Sequence, residues 1–234
     1  MRGIIIIATL SFCYLFGFSQ KDDDFLIQRL SMVRNQISGR GITNSHVLEA
    51  MRTVPRHMFV PPNYVDFAYD DRPLSIGYGQ TISQPFIVAY MTDLAKPKKE
   101  MLALEIGTGS GYQASILAQI VDSVFTIEIV PELGRSAKKL ITKLGYNNIQ
   151  AKIADGYFGW ESKGPFDIII VTAAAETIPP PLIEQLKEGG RMIIPVGSQF
   201  MVQQLMMVEK KNGKVKTRSL IPVRFVPFTR SAKP

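Results

Sequence analysis

"LEIGTGSGYQA" (residues 104–114) leads an apolar strand through a run of glycines into a helix. Gly107, Gly109 and Gly111 let the backbone approach a ligand closely, and the start of the following helix offers free N–H groups. The spacing is G-x-G-x-G, with Tyr112 standing where the dinucleotide fingerprint has its third glycine. That disfavours NAD, and the absence of G-x-x-x-x-G-K-[ST] disfavours a nucleoside triphosphate. A purely structural turn is the competing reading of the loop taken alone.

On either side of the loop the chain alternates strands with helices. "MLALEIG" (101–107), "SVFTIEI" (123–129), "IQAKIAD" (149–155), "FDIIIVTAA" (166–174) and "RMIIPVG" (191–197) read as strands. "GYQASILAQI" (111–120), "ELGRSAKKLITKLG" (132–145) and "PPLIEQLKEGG" (180–190) read as helices between them. Near-continuous Val, Ile and Leu in the strands implies a mostly parallel, twisted sheet covered on both faces, an α/β fold. "QQLMMVEKKNGKVKTRSLIPVRF" (203–225) predicts a C-terminal β-hairpin turning at Asn212-Gly213.

Upstream, residues 21–41 read as an amphipathic helix closed by Gly39 and Gly41, and "TNSHVLEAMRTVP" (43–55) as a second, capped by Thr43 or Asn44. Residues 56–82 are rich in Pro, Gly, Tyr and Asp without periodicity, so a functional loop or covering lid is expected there. A further helix begins at "SQPFIVAYM" (83–91), for which Ser83 is a candidate cap.

At 234 residues, 46% hydrophobic and 20% charged, the chain fits one large domain and excludes wholesale disorder. A net charge of +7 hints at acidic partners, but its densest basic run, "KKNGKVKTR" (210–218), surrounds the hairpin turn and reads as a solvated tip. Arg2 precedes the apolar run "GIIIIATLSFCYLFGFSQ" (3–20), and Gly17 and Ser19 are the small residues of a signal-peptide cleavage site after Ser19. Residues 1–19 are thus expected to direct export to the periplasm or cell envelope, an uncleaved anchor being the alternative. Cleavage would remove Cys13, the chain's one cysteine, and with it disulfides, thiol catalysis and cysteine-held metal. No metal is expected.

Two acids fall where such a sheet gathers its ligand. Glu128 ends the second of these strands, about twenty residues beyond Gly107, where an acid can accept both hydroxyls of a ribose. Asp155 ends the third, within reach of an adenine amino group. Each alone could be a cap or turn residue. With the glycine loop they point to an adenosine ligand without pyrophosphate, S-adenosylmethionine.

A series of motifs then narrows the reading: "AMRTVPRHMFVP" (50–61), "AYDDRPLSIGYGQTISQPFIVAYM" (68–91), the glycine loop, "DGYFGW" (155–160), "FDIIIVTAAAETIP" (166–179), "QLKEGGRMIIPVG" (185–197) and "FVPF" (225–228). In this order they resemble the protein-L-isoaspartate O-methyltransferases over nearly all of residues 20–234. The resemblance implies a class I, Rossmann-like methyltransferase fold: an N-terminal helical and substrate-cleft segment (20–100) joined to a cofactor-binding core (101–234) in one compact domain. It implies a cofactor site of Glu105, Gly107, Thr108, Gly109, Gly111, Tyr112, Glu128, Asp155 and Gly156, with Glu128 on the ribose and Asp155 on the adenine. Ser83 matches the family's active-site serine, and Thr81 helps line its substrate cleft. The implied substrates are damaged proteins and peptides carrying L-isoaspartyl residues, with D-aspartyl as a further class, and the implied state is a monomer.

The family is usually cytoplasmic, which residues 1–19 set against export. Two other readings stay open: a methyltransferase for another carboxylate, and a silent exported binding module that kept the fold. Nucleic acid is disfavoured, because "VTAAAETIPP" (171–180) lacks the N-P-P-[YF] of amino-methylating enzymes. Of the two histidines, His46 and His57, the latter reads as structural, and no catalytic triad is evident.

Overall fold

The computed structural model describes residues 24–230, so the expected leader at residues 1–19 lies outside the described residues. Five strands form a parallel sheet: β3 (Leu102–Ile106), β4 (Ser123–Glu128), β5 (Ile149–Ile153), β6 (Phe166–Val171) and β7 (Leu186–Val196). The hairpin β8 (Gln203–Lys211) and β9 (Lys214–Val223) extends it antiparallel, giving the order β5-β4-β3-β6-β7-β8-β9. β6 explains the near-continuous apolar strands: Phe166, Ile168, Ile169, Ile170 and Val171 are all wholly buried, alternate residues feeding the packed layers on opposite faces. Each such side chain contributes roughly 1.5–3 kcal/mol.

The strand order reverses at β3, with β4 on one side and β6 on the other, and ligands of open α/β sheets bind at the carboxyl ends beside such a switch. Helices α4 (Tyr112–Ala118) and α5 (Pro131–Lys143) follow β3 and β4. The helix expected over 180–190 is shorter: α6 spans Pro180–Glu184, and β7 begins at Leu186. Gly189 has φ +79°, a left-handed conformation no helix interior takes, and a bulge between Phe166 and Ile168 absorbs the extra residues of β7.

In the N-terminal segment, α1 (residues 24–32) runs on through a π-helical turn, Val33–Ile37, and a 3₁₀ turn, Ser38–Arg40, to the left-handed Gly41. α2 (Ser45–Thr53) is capped by Asn44, whose side chain accepts from the backbone N–H groups of His46 and Val47. The expected loop at 56–82 is more ordered than its composition suggested, containing 3₁₀ turns and a small hairpin of β1 (Leu74–Gly77) and β2 (Gln80–Ile82). Elements of three to six residues are too short to display a period. His57 stacks on Phe25 at 4.2 Å and its Nδ1 lies 2.8 Å from the Tyr69 hydroxyl, joining α1 to this segment.

Asn212 (φ +55°) and Gly213 (φ +68°) make the turn of the terminal hairpin, and Lys211 and Lys214–Ser219 are exposed around it. Lys210 instead folds back, its ammonium donating to the Leu186 carbonyl at 3.1 Å. Among the described residues no helix is long and apolar enough to cross a membrane.

Candidate active site

The glycine loop leaves β3 and doubles against β4. Gly107 and Thr108 both donate their N–H to the Ile127 carbonyl, at 2.8 and 3.2 Å. Gly107 (φ +97°) is required twice over, because a Cβ there would also lie 2.4 Å from Thr172 Oγ1. That hydroxyl donates to the Gly107 carbonyl at 2.7 Å and lies within reach of the Ile106 carbonyl at 3.0 Å, binding the end of β6 to the loop. Glu128 closes the loop from the other side: Oε2 accepts from Gly109 N at 2.7 Å and Oε1 from Val130 N at 2.9 Å. Its carboxylate has further lone pairs for a ligand's hydroxyls.

Gly107, Gly109, Glu128 and Thr172 line one cleft with Gln80, Thr81, Ile106, Ile129, Gly156, Ala173 and the C-terminal segment Val226–Thr229. Gly156 is another close approach, since a Cβ there would lie 2.4 Å from Ile106 Cγ2. The void is only about 50 Å³, against roughly 300–1,000 Å³ for typical small-molecule sites. The C-terminal segment is what narrows it. Ala174 N donates to the Val226 carbonyl at 2.8 Å and Phe228 N to the Ala174 carbonyl at 2.9 Å.

The other expected cofactor residues stand at different depths. Asp155 does not itself line the cleft, although its neighbour Gly156 does: Oδ1 accepts from Tyr157 N at 3.0 Å and Oδ2 from Arg230 Nε at 2.8 Å. Glu105 and Thr108 are buried behind the loop, linked through Thr126, whose hydroxyl is 2.5 Å from Glu105 Oε2 and 2.6 Å from Thr108 Oγ1. Burial pushes the Glu105 carboxyl up to about 8, and nearby Glu128 adds to this against the opposing Thr126 bond. Gly111 faces Ile141 of α5. Tyr112 is turned away from the cleft, its ring edge-on to Phe59 at 5.4 Å and 4.9 Å from the guanidinium of the wholly buried Arg56. A side chain at the first position of α4 follows the helix into the core, whatever its backbone does for the loop.

Ser83 belongs to a second cavity, of about 300 Å³, lined by Pro73, Thr81, Gln84, Ile87, Pro222, Val223, Arg224 and Phe225. It is not the cap of the next helix. α3 spans Pro85–Ala95 with Gln84 at its N-cap position and no side-chain capping bond, because Pro85 at the first helical position moves the cap one residue beyond Ser83. Gln84 instead donates to the Asp71 carbonyl at 3.0 Å. Thr81 borders both cavities.

Sequence reasoning missed Thr172, Gln80, Arg224 and Arg230. Thr172 carried a signal, a polar residue at the carboxyl end of an apolar strand; the others depend on chain segments distant in sequence. A larger open cleft, about 1160 Å³, lies at the opposite ends of the strands beside Lys98, Asp122 and Arg191. It has none of the glycine loop's donors, so its size does not make it the reactive centre.

The chain was compared with known proteins. A family model described as protein-L-isoaspartate(D-aspartate) O-methyltransferase matches residues 28–233. A protein-L-isoaspartate O-methyltransferase of Opitutus terrae is 55% identical over 203 residues, covering 87% of each chain. Protein-L-isoaspartate O-methyltransferase 2 of Syntrophobacter fumaroxidans is 50% identical over 237 residues, covering 97% of this chain and 96% of its own. A solved protein-L-isoaspartate O-methyltransferase superposes with a TM-score of 0.79 at 27% identity, covering 85% of this chain and 65% of its own length. A Plasmodium falciparum chain described as a beta-aspartate methyltransferase, in complex with S-adenosyl-L-homocysteine, gives 0.76 at 27% identity over 87% of this chain and 99% of its own.

Proposed function

The chain belongs to the protein-L-isoaspartate(D-aspartate) O-methyltransferase family, and from that premise we propose how its two cavities divide the reaction. It is an S-adenosylmethionine-dependent carboxyl O-methyltransferase acting on the α-carboxyl of L-isoaspartyl residues. The ester formed then collapses without further catalysis to a succinimide, which can reopen to normal aspartate. The cleft at the glycine loop holds the cofactor and the Ser83 cavity holds the carboxylate. The observation that carries this division is Thr81, which lines both, so the two ligands would meet beside it.

The residues present suit the cofactor. Glu128 retains acceptor capacity after its two backbone bonds, the loop has positive-φ glycines at 107, 109 and 111, and Asp155, assigned to the adenine, adjoins Gly156 of the cleft wall. S-adenosylmethionine supplies, when bound, a methyl group already activated on a sulfonium. The acceptor needs equally little help: an α-carboxyl with an ordinary pKa of ~3.5 is ionised at neutral pH. The chain's work is therefore positioning and drying. Ser83 and Thr81 donate hydroxyl hydrogen bonds to the carboxylate, and Ile87, Pro222, Val223 and Phe225 keep water from it. Ser83 acts as a donor and forms no covalent bond.

The test offers the full-length protein labelled S-adenosylmethionine and two peptides differing in one linkage, L-isoaspartyl or normal L-aspartyl. Base-labile label on the isoaspartyl peptide alone supports the assignment. Equal label on both would leave carboxyl methylation without selectivity for the damaged linkage.

Residues 1–19 support export of this enzyme, with cleavage after Ser19. The N-terminus of the chain isolated from its cells tests this: a start at Gln20 in the envelope fraction agrees, whereas an intact cytosolic chain contradicts it.

A further inference from the structure

Four hydrogen-bonding side chains line the second cavity: that of Gln84 donates to the Asp71 carbonyl, whereas those of Thr81, Ser83 and Arg224 form no side-chain hydrogen bond or ion pair with another described residue. Thr81 and Arg224 are exposed and Ser83 is half-buried, so all three side chains are free to turn to a ligand entering the cleft. Arg224 is the one charged residue among those lining this cavity.

Its backbone is pinned on both sides by a single buried glutamine. Val223 pairs with Gln203 at the end of the β8–β9 ladder, and Phe225 N donates to Gln203 Oε1 at 3.0 Å. Gln203 is 2% exposed and its Nε2 donates in turn to the Ser198 carbonyl at 3.3 Å. The end of β9 is thereby fixed beside β2, although the two are about 140 residues apart in the chain.

We propose that Arg224 reads the charge of the substrate: its guanidinium holds one oxygen of the isoaspartyl α-carboxylate, with Ser83 and Thr81, and leaves the other oxygen to take the methyl group. This rests on the division of the cavities made above. A charge-assisted bond from arginine is stronger than a neutral one and matches carboxylate geometry. In the reaction the carboxylate oxygen forms a bond to the methyl carbon as the carbon–sulfur bond breaks, its electron pair staying on sulfur. The product is a neutral ester and a neutral thioether. The contact that captures the substrate therefore weakens once methylation is complete, which favours release.

The experiment compares full-length wild type, Arg224→Gln and Arg224→Lys on one L-isoaspartyl peptide, with the same peptide bearing an α-carboxamide as a competing inhibitor. Affinity for S-adenosylhomocysteine is measured on each preparation. Arg224→Gln should raise KM at least tenfold with kcat within threefold, lose the preference for carboxylate over carboxamide, and keep its S-adenosylhomocysteine affinity; Arg224→Lys should recover part of the loss. An unchanged KM and preference in Arg224→Gln overturns the assignment of Arg224 while leaving the reaction intact. A wild type that methylates no isoaspartyl peptide removes the functional reading, and this inference with it. Should a variant not fold, the wild type alone decides: its carboxylate preference should shrink several-fold between ~50 and ~500 mM salt, and a salt-independent preference counts against the proposal.

Discussion

Arg230 reaches from the C-terminal segment to Asp155, Nε to Oδ2 at 2.8 Å, with its guanidinium 3.6 Å from the centre of the Tyr157 ring. The Asp155 side chain is 6% exposed and that of Arg230 40%, so only the cationic half of the pair is in water, next to Gly156 and Thr229 of the glycine-loop cleft. Val226–Thr229 lie along the cleft, held at Val226 and Phe228 by the two hydrogen bonds to Ala174 and followed at once by this contact. The segment is therefore fastened along a narrow cleft, and on the proposed division of the cavities that cleft widens to admit the cofactor. A partly exposed pair of this kind contributes up to about 1 kcal/mol, and the stacking on Tyr157 adds a similar amount. Arg230→Ala should accelerate both binding and release of S-adenosylhomocysteine several-fold, as read by stopped-flow fluorescence. Unaltered rates would mean that the segment opens without breaking this contact.

Ser83→Ala separates two roles that the sequence left entangled. The serine makes no capping bond to α3, so its loss should shift the melting temperature by less than ~2 °C. A hydrogen bond to a charged group is worth roughly 1.5–3 kcal/mol, so turnover should fall about 10- to 100-fold if that bond forms with the carboxylate. S-adenosylhomocysteine affinity should stay within twofold. A large loss of stability with turnover preserved would return Ser83 to a structural role.

Glu105 makes stability depend on pH in a definite direction. Its carboxyl is raised by burial from 4.5 to about 8 in the folded chain. Below pH ~4.5 both the folded and unfolded states carry the proton and the group contributes no pH dependence. Between there and about 8 the folded state binds more protons, so this group's contribution falls steadily as pH rises, and its full cost is present above 8. The wild type should thus lose melting temperature from pH 6 to 9 more steeply than Glu105→Gln, which has no proton to give up. Parallel curves in thermal melts across that range would show that Glu105 is not buried in its protonated form.

Gly107→Ala should be among the most damaging single-methyl additions in the chain. The new Cβ would lie 2.4 Å from Thr172 Oγ1, on a residue whose φ of +97° already suits only glycine. A loss of at least ~2 kcal/mol is expected from strain and overpacking together, measurable by urea denaturation. Thr172→Ala in the same background should restore part of it by removing the atom that is struck. No recovery would place the cost in the backbone conformation alone.

Much was legible from residues that are neighbours in the chain. The parallel sheet follows from runs such as "FDIIIV", because a strand buried on both faces has no room for alternation. The glycine loop and Glu128 could be read because both follow strand ends that the sheet aligns in register, Ile106 opposite Ile127. Where local rules compete, the reading went astray. Ser83 has the better capping side chain, yet Gln84 stands at the helix start because Pro85 takes the first helical position. "LKEGG" resembles a helix end, yet the ladder to β6 draws it into β7.

The sequence by itself determined the fold class, through short-range patterning that survives any tertiary arrangement, and the family, through the resemblance of its ordered motifs. Tertiary structure alone decided which polar groups share a cavity. Tyr112 was drawn into the core and Glu105 set behind the loop, while Arg224 was brought to Ser83 and Arg230 to Asp155 by a C-terminal segment folding back across the sheet. Placements of residues 75 or 141 positions apart beside one another leave no periodicity to read, because they arise from closing long loops onto a common core after the local elements exist.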